Sequence, residues 1–257
     1  MKVTKAQPFF KRKMLCLFLG LIVATGCTKL SSEKPPGPWH AAYQPINDTE
    51  SEQFVKNALA EATKQFGAPA IPVKQVLLRR SKKSSTAEGY RVAEDFSLTE
   101  CVDATNGVFA IYLAVDPTHP DYFPLLGHEC THLINADIFD WYMEGIATRF
   151  SEQICAEAGK PWGDWAKRFG KTRRDPYALS YRMMHELQTQ FPREYPALIQ
   201  HVAPGANGHL RIDIDAWLRT LSTSQRTQAL TIIAPYTKVL THHTGAGYNF
   251  TAPAALP

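Results

Sequence analysis

The sequence predicts an α+β fold, with a small sheet in the first half of the chain and a mostly helical C-terminal lobe. Apolar runs at 73–79 and 108–115 have the length and composition of strands. From residue 122 onward, apolar residues recur at helical spacing instead. Of the 257 residues, 44% are hydrophobic and 20% charged, so the chain can bury one substantial core.

The N-terminus has the pattern of a bacterial lipoprotein signal peptide, predicted over residues 1–26. Basic residues precede the apolar run 14–24, which is too short to cross a membrane permanently. The run ends in A-T-G-C at 24–27, which resembles a lipobox, so Cys27 is expected to carry lipid; an ordinary signal peptide cut nearby is the alternative. Because Thr28 rather than aspartate follows the cysteine, the resemblance favours an anchor in the outer membrane, facing the periplasm.

The charge balance gives no reason to expect a nucleic-acid partner. The signal contributes five of the 28 Lys and Arg residues and none of the 24 Asp and Glu residues, so the mature chain has 23 minus 24, or about −1. The pI of 8.7 therefore belongs to the precursor. Besides Cys27, the mature chain retains Cys101, Cys130 and Cys155, which allow one disulfide whose pairing the sequence does not assign.

Composition and periodicity divide the mature chain into elements. A Pro- and Ser-rich tether is expected at 27–47, one domain large enough for an enzyme at 48–241, and a flexible tail at 242–257. Within the domain, strands are predicted at 73–79, 90–96 and 108–115, and helices at 48–66, 122–136, 141–158 and 176–191, with two or three more through 217–240. The loop that ends at residue 175 carries a basic run. This run can be either a solvated surface or a contact with an acidic substrate.

The helix predicted at 122–136, capped by Asp121, contains the pattern H-E-C-T-H. His128 and His132 are four residues apart and share a helix face, so both imidazoles can reach one metal ion. Glu129 lies beside that face, where it can act on a water molecule as a general base. Glu144 follows His132 by twelve residues on the next predicted helix and can supply a third ligand. Three protein ligands and an open position for water are typical of catalytic Zn²⁺.

The stretch W-Y-M-E-G-I-A at 141–147 is similar to the glutamate helix of the gluzincin metallopeptidases, whose aminopeptidase members carry W-x-x-E-G-x-A. The resemblance implies a zincin-like fold, built from a small sheet and an active-site helix, with Glu144 as the third zinc ligand. It also implies hydrolysis of a peptide-type bond by a zinc-activated water. In the envelope the substrate would be a peptide, a protein or peptidoglycan.

Two further segments extend the resemblance. The pair Pro176-Tyr177 is similar to the helix start of zinc aminopeptidases whose tyrosine stabilises the oxyanion, which makes Tyr177 the candidate for that role and Tyr181, one turn later, its rival. The strand at 108–115 resembles the edge strand with which zincin-like peptidases pair extended substrate.

The chain departs from the family in three places. It lacks the G-x-M-E-N signature of zinc aminopeptidases, and its interval between His132 and Glu144 is shorter than in thermolysin-like enzymes. Thr148 stands where those enzymes place an aspartate that orients a zinc histidine, so Asp137 or Asn135 is expected to take that role. A metal-containing envelope lipoprotein that binds peptides or cell-wall components without cleaving them, and a purely structural envelope protein, remain alternatives.

Overall fold

A mixed four-stranded sheet with helices packed on one face forms the N-terminal half of the fold. The computed structural model describes residues 38–82, 86–87, 90–91, 97–163, 165–172, 174–205, 208–244 and 248–254. The predicted signal peptide and Cys27 lie outside these residues. In chain order the strands are β1 (Tyr43–Pro45), β2 (Gln75–Ser81), β3 (Thr86–Ala87), β4 (Tyr90–Arg91), β5 (Leu98–Asp103), β6 (Val108–Leu113), β7 (Val202–Pro204) and β8 (Leu210–Ile212).

Helices make up most of the chain after the sheet, as the sequence predicts. They are α1 (Thr49–Phe66), α2 (Tyr122–His132), α3 (Trp141–Glu157), α4 (Trp165–Lys171), α5 (Pro176–Gln190), α6 (Ile214–Thr220) and α7 (Thr223–His242), with 3-10 turns at Pro38–Ala42 and Tyr195–Gln200. The α+β class is therefore confirmed. Within the described ranges, no helix has both the length and the apolar character needed to span a bilayer.

The sheet has the order β1-β2-β6-β5. β2 and β6 run parallel, whereas β1 and β5 are antiparallel to their neighbours. The side chains of β6 alternate between two apolar clusters: Phe109 and Ile111 pack with the helices, and Ala110 and Tyr112 pack with Tyr43 on the other face. The helices of the site thus lie on one face of the sheet.

Aspartates begin three of the helices that matter for the site. The Asp48 side chain accepts from the backbone N–H of Ser51 at the start of α1. Asp140 does the same for α3, and Asp175 for α5. Asp121 makes no such capping hydrogen bond, so the cap predicted for α2 was wrong, and that helix ends at His132 rather than near residue 136.

One prediction about the sheet was wrong, and a second falls only partly within the described residues. The strand at 108–115 is β6, which lies between β2 and β5, so the edge beside α2 is β5 instead. The sequence predicted a strand at 90–96, but Tyr90–Arg91 pairs only with Thr86–Ala87, and residues 92–96 lie outside the described part. The strand β5 itself was missed.

The segments expected to be a tether and a flexible tail each contain an aromatic side chain that packs against the domain. Tyr43, in the expected tether, is fully buried on the sheet, and its strand β1 pairs with β2. In the expected tail, Phe250 stacks on Tyr142 with ring centroids 4.8 Å apart. These buried aromatic side chains help to hold the two segments against the domain.

Candidate metal centre

Close packing of α2 against α3 brings the predicted metal ligands together. Gly127 permits this approach, because a Cβ at that position would lie 2.9 Å from Cγ2 of Ile154 and 3.3 Å from Cα of Ser151. The Ser151 hydroxyl also donates to the backbone oxygen of Pro124, 2.6 Å away. The packing places the first turn of α3, with Glu144, beside the histidine face of α2.

Three side chains, His128, His132 and Glu144, form a buried group that could hold a metal ion. Nε2 of His128 lies 3.1 Å from Oε2 of Glu144 and 3.3 Å from Nε2 of His132. Nε2 of His132 lies 3.6 Å from the other carboxylate oxygen, Oε1 of Glu144. The three residues are between 3% and 9% exposed, so their ligand atoms converge on one point that is shielded from bulk water.

The protonation states of this group suit metal binding. Burial lowers the pKa of both histidines, to about 4 for His132, so both imidazoles are neutral near pH 7. Burial also raises the pKa of Glu144. A neutral imidazole offers a lone pair to a metal without first losing a proton, and a cation would offset the cost of a buried carboxylate.

The ring of His128 is oriented by Thr148, one turn after Glu144 on α3. The Thr148 hydroxyl donates to the backbone oxygen of Glu144 at 2.7 Å, which leaves it to accept from Nδ1 of His128 at 3.2 Å. With the hydrogen on Nδ1, the lone pair of Nε2 faces Glu144 and His132. The lone pair of Nε2 of His128 therefore faces the carboxyl group of Glu144, an arrangement that a cation between them would stabilise.

Glu129 lies beside the ligand group and is 4% exposed. The hydroxyl of Thr99, on the edge strand β5, lies 3.0 Å from Oε2 of Glu129 and 2.8 Å from its backbone oxygen. Burial, the largest cause, raises the pKa of Glu129 to about 7. A carboxyl group with a pKa near neutrality can both accept and return a proton at physiological pH.

The two candidate tyrosines on α5 differ in what they contact. The ring of Tyr177 lies 6.4 Å from that of His128, and burial together with the charge of Glu144 raises the pKa of Tyr177. Tyr181 points elsewhere, because its hydroxyl donates to Oε2 of Glu152 at 2.8 Å. Of the pair, Tyr177 is the one beside the metal-ligand group.

Sequence reasoning missed two aromatic residues beside the site. Tyr248, in the segment expected to be flexible, has its hydroxyl 2.9 Å from that of Tyr177. Trp165, on the unpredicted helix α4, has its ring 6.5 Å from the ring of His128. The only available signal was the recurrence of large aromatic residues in two segments with otherwise loop-like composition.

The three cysteines of the described part are free in this structure. Cys130 and Cys155 are buried, and burial raises the pKa of both thiols, to about 12 for Cys155. Buried thiols with raised pKa values are weak nucleophiles and weak metal ligands. Their role is packing between α2 and α3.

Comparisons with protein-family models, with curated protein sequences and with solved structures give no match to this chain.

Proposed function

We propose that the protein is a zinc-dependent hydrolase of peptide-type bonds that acts at the bacterial cell envelope. The observation that carries the proposal is a group of four buried residues, in which three are suited to bind a metal ion and one to act as a general base. Three of them, His128, His132 and Glu144, present ligand atoms to one point. The fourth, Glu129, lies next to them and contributes no atom to that group, and burial raises its pKa to about 7.

Zinc is the metal that fits this donor set best. Two imidazoles and one carboxylate are a ligand set of catalytic zinc sites. Tetrahedral coordination with bonds of about 2.0 to 2.1 Å places neighbouring ligand atoms about 3.3 Å apart. The distances of 3.1 Å between Nε2 of His128 and Oε2 of Glu144, and of 3.3 Å between the two Nε2 atoms, match that spacing.

His128, His132 and Glu144 would hold the zinc ion, which would supply the Lewis acidity that makes water a better nucleophile and polarises the scissile carbonyl. Glu129 takes the proton of the attacking water and returns it to the leaving amine. The Thr99 hydroxyl contacts both the backbone oxygen of Glu129, at 2.8 Å, and its carboxyl oxygen Oε2, at 3.0 Å, and so limits the motion of that side chain. Tyr177 donates its hydroxyl hydrogen to the oxyanion that forms on the substrate.

The edge strand β5 is the proposed docking site for an extended substrate. It is the last strand in the order β1-β2-β6-β5, and it carries Thr99, the residue that contacts Glu129. A substrate that pairs with this edge by backbone hydrogen bonds would lie next to the general base. Peptides, unfolded proteins and the peptide portion of peptidoglycan all offer such a backbone.

The cell-envelope location is proposed from the sequence at residues 1–27. Cleavage before Cys27 and lipidation of that residue would anchor the domain to the membrane and expose it to periplasmic substrates. Replacing Cys27 with serine should release the protein from membranes or leave the precursor uncleaved. Normal processing with unchanged membrane retention would contradict lipidation.

Hydrolysis by the wild type and a Glu129→Gln variant tests the proposed chemistry. The amide keeps the shape of the carboxylate but cannot accept a proton, so hydrolysis of fluorescein-labelled casein and a quenched peptide library should fall at least a hundredfold while zinc stays bound. Glu157→Gln, the same change at an exposed position of α3, is the control. Full activity in Glu129→Gln would remove the mechanism. A wild type that binds zinc but cleaves neither substrate would favour the non-catalytic binding protein.

A further inference from the structure

Tyr248 comes to the metal-ligand group from the C-terminal segment, 71 residues after Tyr177. The two hydroxyl oxygens lie 2.9 Å apart, so one phenol donates to the other. Each phenol has one hydrogen to donate. The phenol that accepts in this pair therefore keeps its own hydrogen for a third group.

The ring of Tyr248 is clamped on both faces. It stacks on Phe139 with centroids 4.1 Å apart and on Trp141 with centroids 4.4 Å apart. Trp141 in turn meets the ring of Tyr177 edge-on, with centroids 5.2 Å apart and planes at 90°. A ring held between two others cannot swing away from its partner, so the position of the Tyr248 hydroxyl is fixed by packing.

Backbone hydrogen bonds fix the same segment along the chain. The N–H of Asn249 donates to the oxygen of Phe139, and the N–H of Trp141 donates to the oxygen of Asn249, both at 3.0 Å. These contacts tie Tyr248 to the start of α3, the helix that carries Glu144. The phenol pair and the metal-ligand group thus share one rigid support.

We propose that Tyr248 is a positioning residue for the reaction: its hydroxyl donates to Tyr177 and so aims the hydroxyl hydrogen of Tyr177 into the site. This inference rests on the proposed function, in which Tyr177 donates to the substrate oxyanion. If Tyr177 donated to Tyr248 instead, its one hydroxyl hydrogen would not be available to the oxyanion. The C-terminal segment then completes the catalytic site and is not a tail.

A double-mutant cycle separates this role from general structural support. Tyr177→Phe, Tyr248→Phe and the double variant each keep the aromatic rings and lose only hydroxyls. We expect kcat on the labelled casein to fall roughly a hundredfold in Tyr177→Phe and roughly tenfold in Tyr248→Phe, with KM and the melting temperature unchanged. The double variant should match Tyr177→Phe, because Tyr248 acts only through Tyr177. Tyr181→Phe, on the same helix, should match the wild type.

Wild-type kcat in Tyr248→Phe would overturn the proposal. So would a double variant whose loss equals the product of the two single losses, since that would make the two hydroxyls independent. If Tyr248→Phe lowers kcat only together with the melting temperature, and raises KM by a similar factor, the role of Tyr248 is structural.

The same double-mutant cycle can be measured without turnover, through the binding of acetohydroxamate to the cobalt-substituted protein. The visible absorption of cobalt gives the Kd, and both single variants should weaken binding by roughly three- to tenfold, with no further loss in the double variant. If the wild type cleaves no substrate, the proposed function fails while this cycle still tests the phenol pair. Equal affinity in Tyr248→Phe and wild type would overturn the pairing itself.

Discussion

Thr148 and His128 are joined by a hydrogen bond between the threonine hydroxyl and Nδ1 of the imidazole, 3.2 Å in length. Because the same hydroxyl donates to the backbone oxygen of Glu144, the imidazole must supply the hydrogen. The expectation that Asp137 or Asn135 would orient a histidine was wrong for His128. A neutral hydroxyl therefore fixes the orientation and the tautomer of the His128 ring.

Removing the Thr148 hydroxyl should weaken metal binding. Thr148→Val keeps the shape of the side chain but leaves Nδ1–H of His128 without its partner, so zinc affinity should fall roughly ten- to a hundredfold. Titration against a competing chelator measures the Kd, and Thr148→Ser, which keeps the hydroxyl, should stay near wild type. An unchanged Kd in Thr148→Val would show that packing alone orients the ring.

Adding one methyl group at Gly145 should disrupt the contact between α3 and α5. A Cβ there would lie 2.4 Å from the backbone oxygen of Ser180, which cannot rotate away, and 2.6 Å from Cγ of Met184. Gly145→Ala should therefore lower the free energy of unfolding by about 3 kcal/mol.

A second glycine provides the control for Gly145→Ala in urea unfolding. Gly159 has nothing within 4 Å of a built Cβ, although its φ of 64° is unfavourable for alanine. Gly159→Ala should cost only about 1 kcal/mol. Equal losses in the two variants would show that steric overlap at position 145 is not the cause.

The buried carboxyl of Asp140 should make stability depend on pH. Burial raises its pKa from an ordinary 3.8 to about 7, so the folded chain holds a proton that the unfolded chain releases between those values. Stability from this group is complete below pH 4, falls as the pH rises, and is lost above about pH 7. A pKa about three units higher in the folded chain than in the unfolded chain corresponds to as much as about 4 kcal/mol of stability.

Asp140→Asn tests this dependence, because an amide oxygen can still accept the N–H groups of Tyr142 and Met143 at the start of α3. Urea unfolding of both metal-free proteins at pH 4, 5.5 and 7.5 gives the difference in stability. That difference should move in favour of the variant as the pH rises. A constant difference would mean that Asp140 is ionised in the folded chain throughout.

Sequence reasoning found the parts of the site that short-range geometry determines. The four-residue spacing of His128 and His132 dictates a shared helix face, and the start of the next helix placed Glu144 within reach. The α+β class followed from the change in apolar periodicity.

The contributions that the sequence did not predict come from residues distant in the chain. Thr99 reaches Glu129 because β5, a strand that the sequence did not predict, pairs with β6. Tyr248 reaches Tyr177 through stacking on Phe139 and Trp141, a long-range contact with no local pattern. The composition of such segments shows that they contain few apolar residues, but it does not indicate which residues their aromatic rings contact.

Metal content of the purified protein tests the central claim most directly. Elemental analysis should find one zinc ion per chain in the wild type and in His242→Ala, which alters an exposed histidine on α7. His132→Ala and Glu144→Gln should each lose most of that zinc while remaining folded by circular dichroism. Substoichiometric zinc in the folded wild type, or one zinc per chain in both His132→Ala and Glu144→Gln, would contradict a zinc site at His128, His132 and Glu144.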